Sequence, residues 1–325
     1  MSTEMDNLQG LADFSPDDAV MLKDVLEGLA RPRKSIPSLY FYDQAGSELF
    51  DEITRLPEYY PTRTEVSILE AYGDEMARAL GPGVRLVELG SGSALKTELL
   101  LARMEELAAY VPVEISREHL EAAAARIAAD FPDIEVLPVV ADFTEPYDLP
   151  EPERVRVRRN VAFFPGSTIG NFPHELAAGL LDATARAMGP GGAMLIGVDL
   201  KKGAGILEPA YNDAAGVTAR FNLNLLVRLN RELGADFDVG AFTHAAVWDE
   251  ANSRIEMRLI SQRAQTVRVA GRRFDFAAGE ALVTEYSHKY SMDAFRRLAE
   301  DNGFRPARVW TDPDRLFSVQ LLEVA

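Results

Sequence analysis

The sequence predicts an α/β fold: a mainly parallel sheet with helices on both faces, joined by a second, α+β domain. Three observations carry that prediction. Between residues 64 and 200, five short apolar runs alternate with amphipathic helical patterns, the pattern of strands buried on both faces and linked by crossover helices. After Leu200 apolar and polar residues alternate instead, the period of antiparallel strands with one wet face. From Ser291 onward a helical stretch and two strand-like runs return, suited to closing the edge of the first sheet. The expected division is 64–200 with 291–325 for the sheet domain, and 1–63 with 201–290 for the second.

The elements follow in order. DDAVMLKDVLEGLA (17–30) patterns as a helix, and a loop-rich stretch runs from there to Arg63. Pro61 ends regular structure, and Thr62 with Glu65 fits a capping box for the helix EVSILEAYGDEMARAL (65–80), which closes at Gly81-Pro82-Gly83. The five strands are VRLVELG (84–90), YVPVEIS (110–116), IEVLPVVADF (134–143), NVAFFPG (160–166) and GGAMLIGVDL (191–200), with helices over 94–107, 117–131 and 174–189. One long helical stretch covers 210–233, followed by strand-like segments at 242–249, 253–271, 272–276 and 281–290. The helix SMDAFRRLAEDNGF (291–304) is capped by Ser291, and ARVWTD and LFSVQLLEV are the last strands.

Composition narrows the function classes. A chain of 325 residues is long enough for two domains. The formal net charge of −17 argues against nucleic-acid and anionic-membrane partners, which require a positive surface. With no cysteine, disulfides, thiolate metal sites and cysteine nucleophiles are excluded. The opening MSTEMDNLQG has neither the basic region nor the apolar core of a secretory signal, and no apolar run approaches the ~20 residues of a membrane span. A cytoplasmic monomer is expected.

Chemistry concentrates at the carboxyl ends of the parallel strands. VELGSGSALKT (87–97) places Gly90 and Gly92 between a strand and a helix, where the backbone can approach a ligand closely. A dinucleotide fingerprint would need glycine at 95, where Leu95 stands; the E-x-G-x-G form resembles the first motif of class I methyltransferases instead. Glu114, ending the second strand, is placed to accept from ribose hydroxyls, and Asp142-Phe143, ending the third, to take an adenine amino group and ring edge. Together they fit one adenosyl ligand across the sheet. PGSTIGNF (165–172) follows the fourth strand, and Asn171 offers both donor and acceptor to an amino acid's ammonium and carboxylate.

In EALVTEYSHKY, period two puts Glu285, Ser287 and Lys289 on one face and Thr284, Tyr286 and His288 on the other. Glu285 and Ser287 make an acceptor–donor clamp suited to an NH-bearing heterocycle; the same residues also suit a wet sheet face. The four histidines, at 119, 174, 244 and 288, have no metal-ligand spacing.

The blocks SLYFYDQAGSELFDEITRLPEYYPTRTE, VELGSGSALKT, FFPGSTIGN, YNDAAGVTARFN and TEYSHK together resemble the histidine-specific Nα-methyltransferases of ergothioneine biosynthesis, from about residue 34 to the end. That resemblance implies a Rossmann-like class I methyltransferase sheet with a second, substrate-binding domain. It implies trimethylation of the α-amino group of L-histidine to hercynine, with S-adenosyl-L-methionine as cofactor, S-adenosyl-L-homocysteine as product, and no metal. Cofactor contacts would come from Gly90, Lys96, Glu114, Asp142 and Phe143. Asn171 and Tyr211 would take the carboxylate and amine end, with Gly166 in the same loop as Asn171. Tyr59, Glu285 and Ser287 would surround the imidazole, Met257 would lie beside the ring, and Tyr42 near the amine, where it or a water beside it could pass the proton outward. Tyr42 and Asn171 are thus the expected catalytic residues. Glu114 departs from the family's Asp, and its longer carboxylate still reaches ribose hydroxyls. Tyr286, between the two ring-binding residues, should point away from them. The alternative is an Nα-methyltransferase for another aromatic amino acid, such as a tryptophan derivative; Glu285 with Met257 tilts the choice to histidine.

Overall fold

The computed structural model describes residues 8, 11–14, 18–90, 95–145 and 147–325. The chain forms two compact units, Met1–Ser15 with Pro61–Lys201 and Tyr290–Ala325, and Pro16–Tyr60 with Lys202–Lys289.

The first unit is built on an eight-stranded sheet. Its order is Ala12–Phe14, Val139–Ala141, Ala109–Glu114, Val84–Leu89, Arg159–Phe164, Ala193–Asp199, Phe317–Val324 and Phe304–Thr311. The first six strands run parallel, Phe317–Val324 runs antiparallel to them, and Phe304–Thr311 reverses again to run in their direction. Successive side chains of each strand enter opposite cores. Val87, Val111, Phe164 and Ile196 pack with Ala177, Leu181 and Ala185 of the helix His174–Met188. Leu86, Tyr110, Phe163 and Leu195 pack with Ile68, Leu69 and Met76 of the helix Tyr60–Leu80. Burial on both faces is why these strands lack polar alternation. The result is the Rossmann-like sheet of class I methyltransferases. Its topology reverses beside Val84–Leu89, where ligands of open α/β sheets bind.

Three expectations need correction. Residues expected in the second domain supply Ala12–Phe14, which pairs with Val139–Ala141 at the sheet edge of the first unit. The helix after the two tyrosines starts at Tyr60, so Thr62 is not its cap. Pro61 lies in the first turn, where its missing N–H leaves no bond unmade. The expected strand over 134–143 contracts to Val139–Ala141, with Val136 making isolated bridges to Leu8 and Tyr110.

The second unit holds the antiparallel sheet Ala281–His288, Arg254–Ser261, Phe242–Asp249, the hairpin Gln265–Val269 and Arg272–Phe276, and the helices Asp18–Ala30, Gln44–Thr54, Ala204–Ala210 and Val217–Leu233. Residues 34–36 join the sheet edge: Val283 N donates to Lys34 O and Ile36 N to Val283 O, both at 3.0 Å. The single helix expected over 210–233 is broken. Gly216 sits at φ +70°, and the Asp213 carboxylate accepts from Val217 N and Thr218 N at 2.8 and 2.7 Å. An aspartate satisfying the first amides makes a new helix start cheaper than continuing the old one.

Ser291 does cap the helix Met292–Glu300, accepting from Ala294 N at 3.1 Å. Ser291→Ala should lower unfolding free energy by about 1 kcal/mol, read from the urea midpoint at unchanged slope.

Candidate active site

In the first unit, Gly90 ends its strand at φ +79° and donates to Val113 O at 2.8 Å. A Cβ there would lie 3.6 Å from the Phe143 ring, so the loop start and that ring are neighbours. Gly92 lies outside the described residues. Glu114 and Val140 are register partners on adjacent strands, which sets the Glu114 carboxylate near the Asp142 strand end. Glu114 Oε1 accepts from Ile115 N at 2.8 Å and Ser116 N at 3.3 Å. Asp142 Oδ1 accepts from Thr144 N and Thr144 Oγ1 at 2.9 and 2.6 Å. Both carboxylates are oriented by local amides. Phe143 packs edge-on against Phe164 and Phe172, with centroids at 5.4 and 6.3 Å. A glycine with left-handed backbone, two oriented acids and a ring edge at adjoining strand ends fit an adenosyl group: acids for hydroxyl and amino donors, a ring for the base.

Sequence reading missed two acids that hold this arrangement. Glu65 has no exposure to solvent. Its carboxylate pairs with Lys96 Nζ at 2.7 Å and accepts from Gly166 N at 2.8 and 3.1 Å. It thus binds the first turn after the glycine loop to the loop carrying Asn171. Gly166 has φ +81°, and Gly197 has no room for a side chain, since a Cβ would lie 2.1 Å from Glu65 Oε1. The signal was an acid on the apolar stripe of Ile68, Leu69 and Met76, where a surface cap would not sit. The loop itself is fixed by Ser167, at φ 58°, whose hydroxyl accepts from Asp199 N at 2.9 Å, and it ends at half-buried Asn171.

The second acid is Glu88, in the E-x-G-x-G motif. Buried in its strand, it accepts from Thr97 Oγ1 at 2.7 Å on both oxygens and from Tyr110 OH. It ties the strand before the loop to the helix after it. Burial pushes its carboxyl up to about 8, against the hydrogen bonds from Tyr110 and Thr97.

In the second unit, Tyr42, Tyr59 and Tyr211 come together around Phe50 and Phe221. Ring centroids are 5.7 Å for Tyr42–Phe50, 6.2 Å for Phe50–Tyr59 and 6.1 Å for Tyr59–Tyr211. Asp43, beside Tyr42, caps the helix Gln44–Thr54 through Gly46 N at 2.7 Å, and Asn224 and Arg231 bond its carboxylate at 2.9 and 2.7 Å. Tyr211 closes the helix Ala204–Ala210, and its carbonyl lies 2.8 Å from His244 Nε2. Glu285 is the register partner of Met257, and both are buried. Burial raises the Glu285 carboxyl to about 7, with Lys289 acting in the opposite sense. Ser287 Oγ lies 2.8 Å from Tyr211 OH, and Lys289 Nζ is 2.8 Å from each. Tyr286 takes the other face, under the Arg254 guanidinium at 4.0 Å. Tyr60 holds Lys202 through its hydroxyl at 2.7 Å.

Residues 21–324 match the family described as histidine-specific, SAM-dependent methyltransferases. The chain belongs to this family. It is 45% identical to the histidine N-alpha-methyltransferase of Mycolicibacterium smegmatis over 304 residues, 92% of this chain and 93% of that one. The protein of the same name from Mycobacterium tuberculosis is 44% identical over the same shares of the two chains. Ergothioneine biosynthesis protein 1 of Neurospora crassa is 30% identical over 90% of this chain and 34% of its own length. Among the described residues no group of three or more His, Cys, Asp or Glu is placed to hold a metal ion, and no helix is long and apolar enough to cross a membrane.

Two predictions follow from the buried acids of this methyltransferase. Glu65→Gln removes the charge facing Lys96 and should weaken S-adenosylhomocysteine binding roughly tenfold, about 1.4 kcal/mol, by calorimetry. Glu88 takes up a proton on folding, because its folded value of about 8 exceeds the ordinary 4.5. Its contribution is therefore fully present below pH 4.5 and is lost as pH rises through 8. Glu88→Gln should melt above the wild type at pH 8.5 and lose that advantage at pH 5, in thermal scans.

Proposed function

We propose that this methyltransferase transfers methyl groups from S-adenosyl-L-methionine to the α-amino nitrogen of L-histidine, three times in succession, giving hercynine for ergothioneine biosynthesis. The observation that carries the histidine assignment is the buried Glu285 carboxylate beside the Ser287–Tyr211 hydroxyl pair, with Met257 opposite. An imidazole offers one N–H to a carboxylate and one bare nitrogen to a hydroxyl. An indole has no second ring nitrogen to accept from that hydroxyl.

In this reading the first unit is the S-adenosylmethionine domain. Gly90, Glu114, Asp142 and Phe143 hold the adenosyl portion, and Lys96, fixed by Glu65, binds the amino-acid end. The bound cofactor supplies the methyl group, leaving as the neutral thioether S-adenosyl-L-homocysteine. Asn171, on the loop held by Glu65 and Ser167, binds the substrate's α-amino and carboxylate end. The second unit is the substrate domain. Tyr59, Glu285, Ser287 and Met257 fix the ring, Tyr211 joins Asn171 at the carboxylate and amine end, and Tyr42 stands where the amine loses its proton. A phenol near pKa ~10 is a weak base at neutral pH, so Tyr42 would orient the amine and pass the proton to water. Alignment is the main contribution, since a sulfonium leaves readily; well-oriented reactants gain up to about 7–11 kcal/mol. The reading also includes a cytoplasmic monomer acting without a metal, supported by the composition.

Mass spectrometry of L-histidine incubated with cofactor should show products carrying one, two and three added methyls, with no comparable product from tryptophan. Glu285→Ala should weaken histidine binding by about 1–3 kcal/mol, the cost of an unmade buried hydrogen bond, while S-adenosylhomocysteine affinity stays unchanged by calorimetry.

A further inference from the structure

Tyr211 closes the helix Ala204–Ala210, and the last carbonyls of a helix have no partner within it. Here the Tyr211 carbonyl is met by a side chain: His244 Nε2, on the strand Phe242–Asp249, lies 2.8 Å from it. On the other side of the ring, Asn222 Nδ2 lies 2.9 Å from His244 Nδ1 and 3.2 Å from Arg258 O. Asn222 and Tyr211 are both buried. The turn that follows Tyr211 is pinned at its far end, where Asp213 accepts from Val217 N and Thr218 N.

The character of each partner settles where the protons are. A backbone carbonyl only accepts, so Nε2 carries a proton toward Tyr211 O, and Asn222 turns its NH2 group toward Arg258 O. That NH2 group also faces Nδ1, which accepts from it only when bare. The ring is therefore the neutral Nε2–H imidazole. A proton added at Nδ1 would meet the NH2 group, and turning the amide over would set Oδ1 against Arg258 O, acceptor against acceptor. Burial also holds the imidazole below its ordinary value, against the Tyr211 carbonyl and the Asp213 charge. Charged groups on the surrounding elements have partners of their own: Glu208 accepts from Trp248 N at 3.0 Å, Lys289 donates to Tyr211 OH, and the Arg258 guanidinium turns to Glu256.

We propose that His244 is a positioning residue for Tyr211: as a neutral Nε2–H imidazole it fixes the Tyr211 carbonyl, and so the direction in which the phenol leaves the backbone. This rests on the reading above, in which Tyr211 serves the substrate's carboxylate and amine end, and it adds a residue that acts only through Tyr211. The Tyr211 hydroxyl lies 2.8 Å from Ser287 Oγ, a contact that a small rotation of the turn would break.

The test is a double-mutant cycle, read by calorimetry of L-histidine with S-adenosylhomocysteine present. His244→Phe keeps an aromatic ring and removes both nitrogens; Tyr211→Phe keeps its ring and removes the hydroxyl that has to be aimed. His244→Phe alone should weaken histidine binding roughly three- to tenfold, the size of one neutral hydrogen bond. His244→Gln, whose amide can still donate to the carbonyl, should restore most of that loss. In the Tyr211→Phe background the effect of His244→Phe should fall below about twofold, since residues that act through one another are not additive. Additive losses, no loss for His244→Phe, or a His244→Gln variant as weak as His244→Phe would overturn the proposal; a general loosening of the sheet costs the same in either background. No loss for Tyr211→Phe by itself overturns the substrate reading and the proposal with it, so the two failures are told apart. Should His244→Phe not fold, shown by its melting, His244→Ala takes its place in the cycle. An independent readout comes from nitrogen-15 spectra of the wild type labelled on histidine, at neutral pH. The signal missing from His244→Gln should show a bare Nδ1 and a protonated Nε2, and a protonated Nδ1 overturns the proposal whatever the variants do.

Discussion

Glu65 is a carboxylate with no contact with water, and a charge in that position survives only where other groups replace its hydration. Here the replacements are the Lys96 ammonium, on the helix Leu95–Leu101, and the Gly166 amide, on the loop that runs to Asn171. One acceptor therefore sets the distance between the start of the helix after the glycine loop and the loop that ends in Asn171. The neighbouring sequence is fitted to that carboxylate. Gly197 on the adjacent strand must lack a side chain, because a Cβ would lie 2.1 Å from Glu65 Oε1. Gly166 adopts φ +81°, a conformation that lets its N–H face the acid and that only glycine takes at little cost.

The second unit meets the same problem with the opposite sign. Among its buried charged residues is a cation, Lys289, which donates to two hydroxyls at 2.8 Å. Glu285 on the same face is left without such a set of donors, and burial lifts its carboxyl to about 7. A heterocycle supplying an N–H to that oxygen restores what desolvation removed. Met257 opposite offers only apolar surface, so in the proposed reading a ring face meets hydrocarbon while its edge meets the polar groups.

The frame of the first unit was legible because its strands are buried on both faces, and such strands read as unbroken apolar runs. Glu114 and Asp142 drew attention for a related reason: a polar residue ending an apolar strand stands out. Glu65 was misread because Thr62 and Glu65 have capping-box spacing; its place on the apolar stripe of Ile68, Leu69 and Met76 signals burial, but no local pattern connects it to a lysine 31 positions later. The break before Val217 was hidden in the same way, since YNDAAGV fits a helical pattern until Asp213 is seen serving two amides. Lys289 lay in plain view on the period-two face of its strand. Its meaning depended on Tyr211, 78 positions away, which no local pattern connects to it.

Trimethylation makes a specific demand on these contacts. The α-nitrogen enters as an ammonium rich in donors, and after the third transfer it is a quaternary cation with none. Any anchor relying on the amine would weaken with each round. Glu285 and Ser287 are held by the sheet and, in the proposed reading, contact only the ring, whose donor and acceptor pattern is the same in substrate, intermediates and product. Holding the molecule by its constant end leaves the nitrogen able to turn between transfers. It also explains why the ring site carries the buried charges: the discrimination has to be made where the substrate does not change.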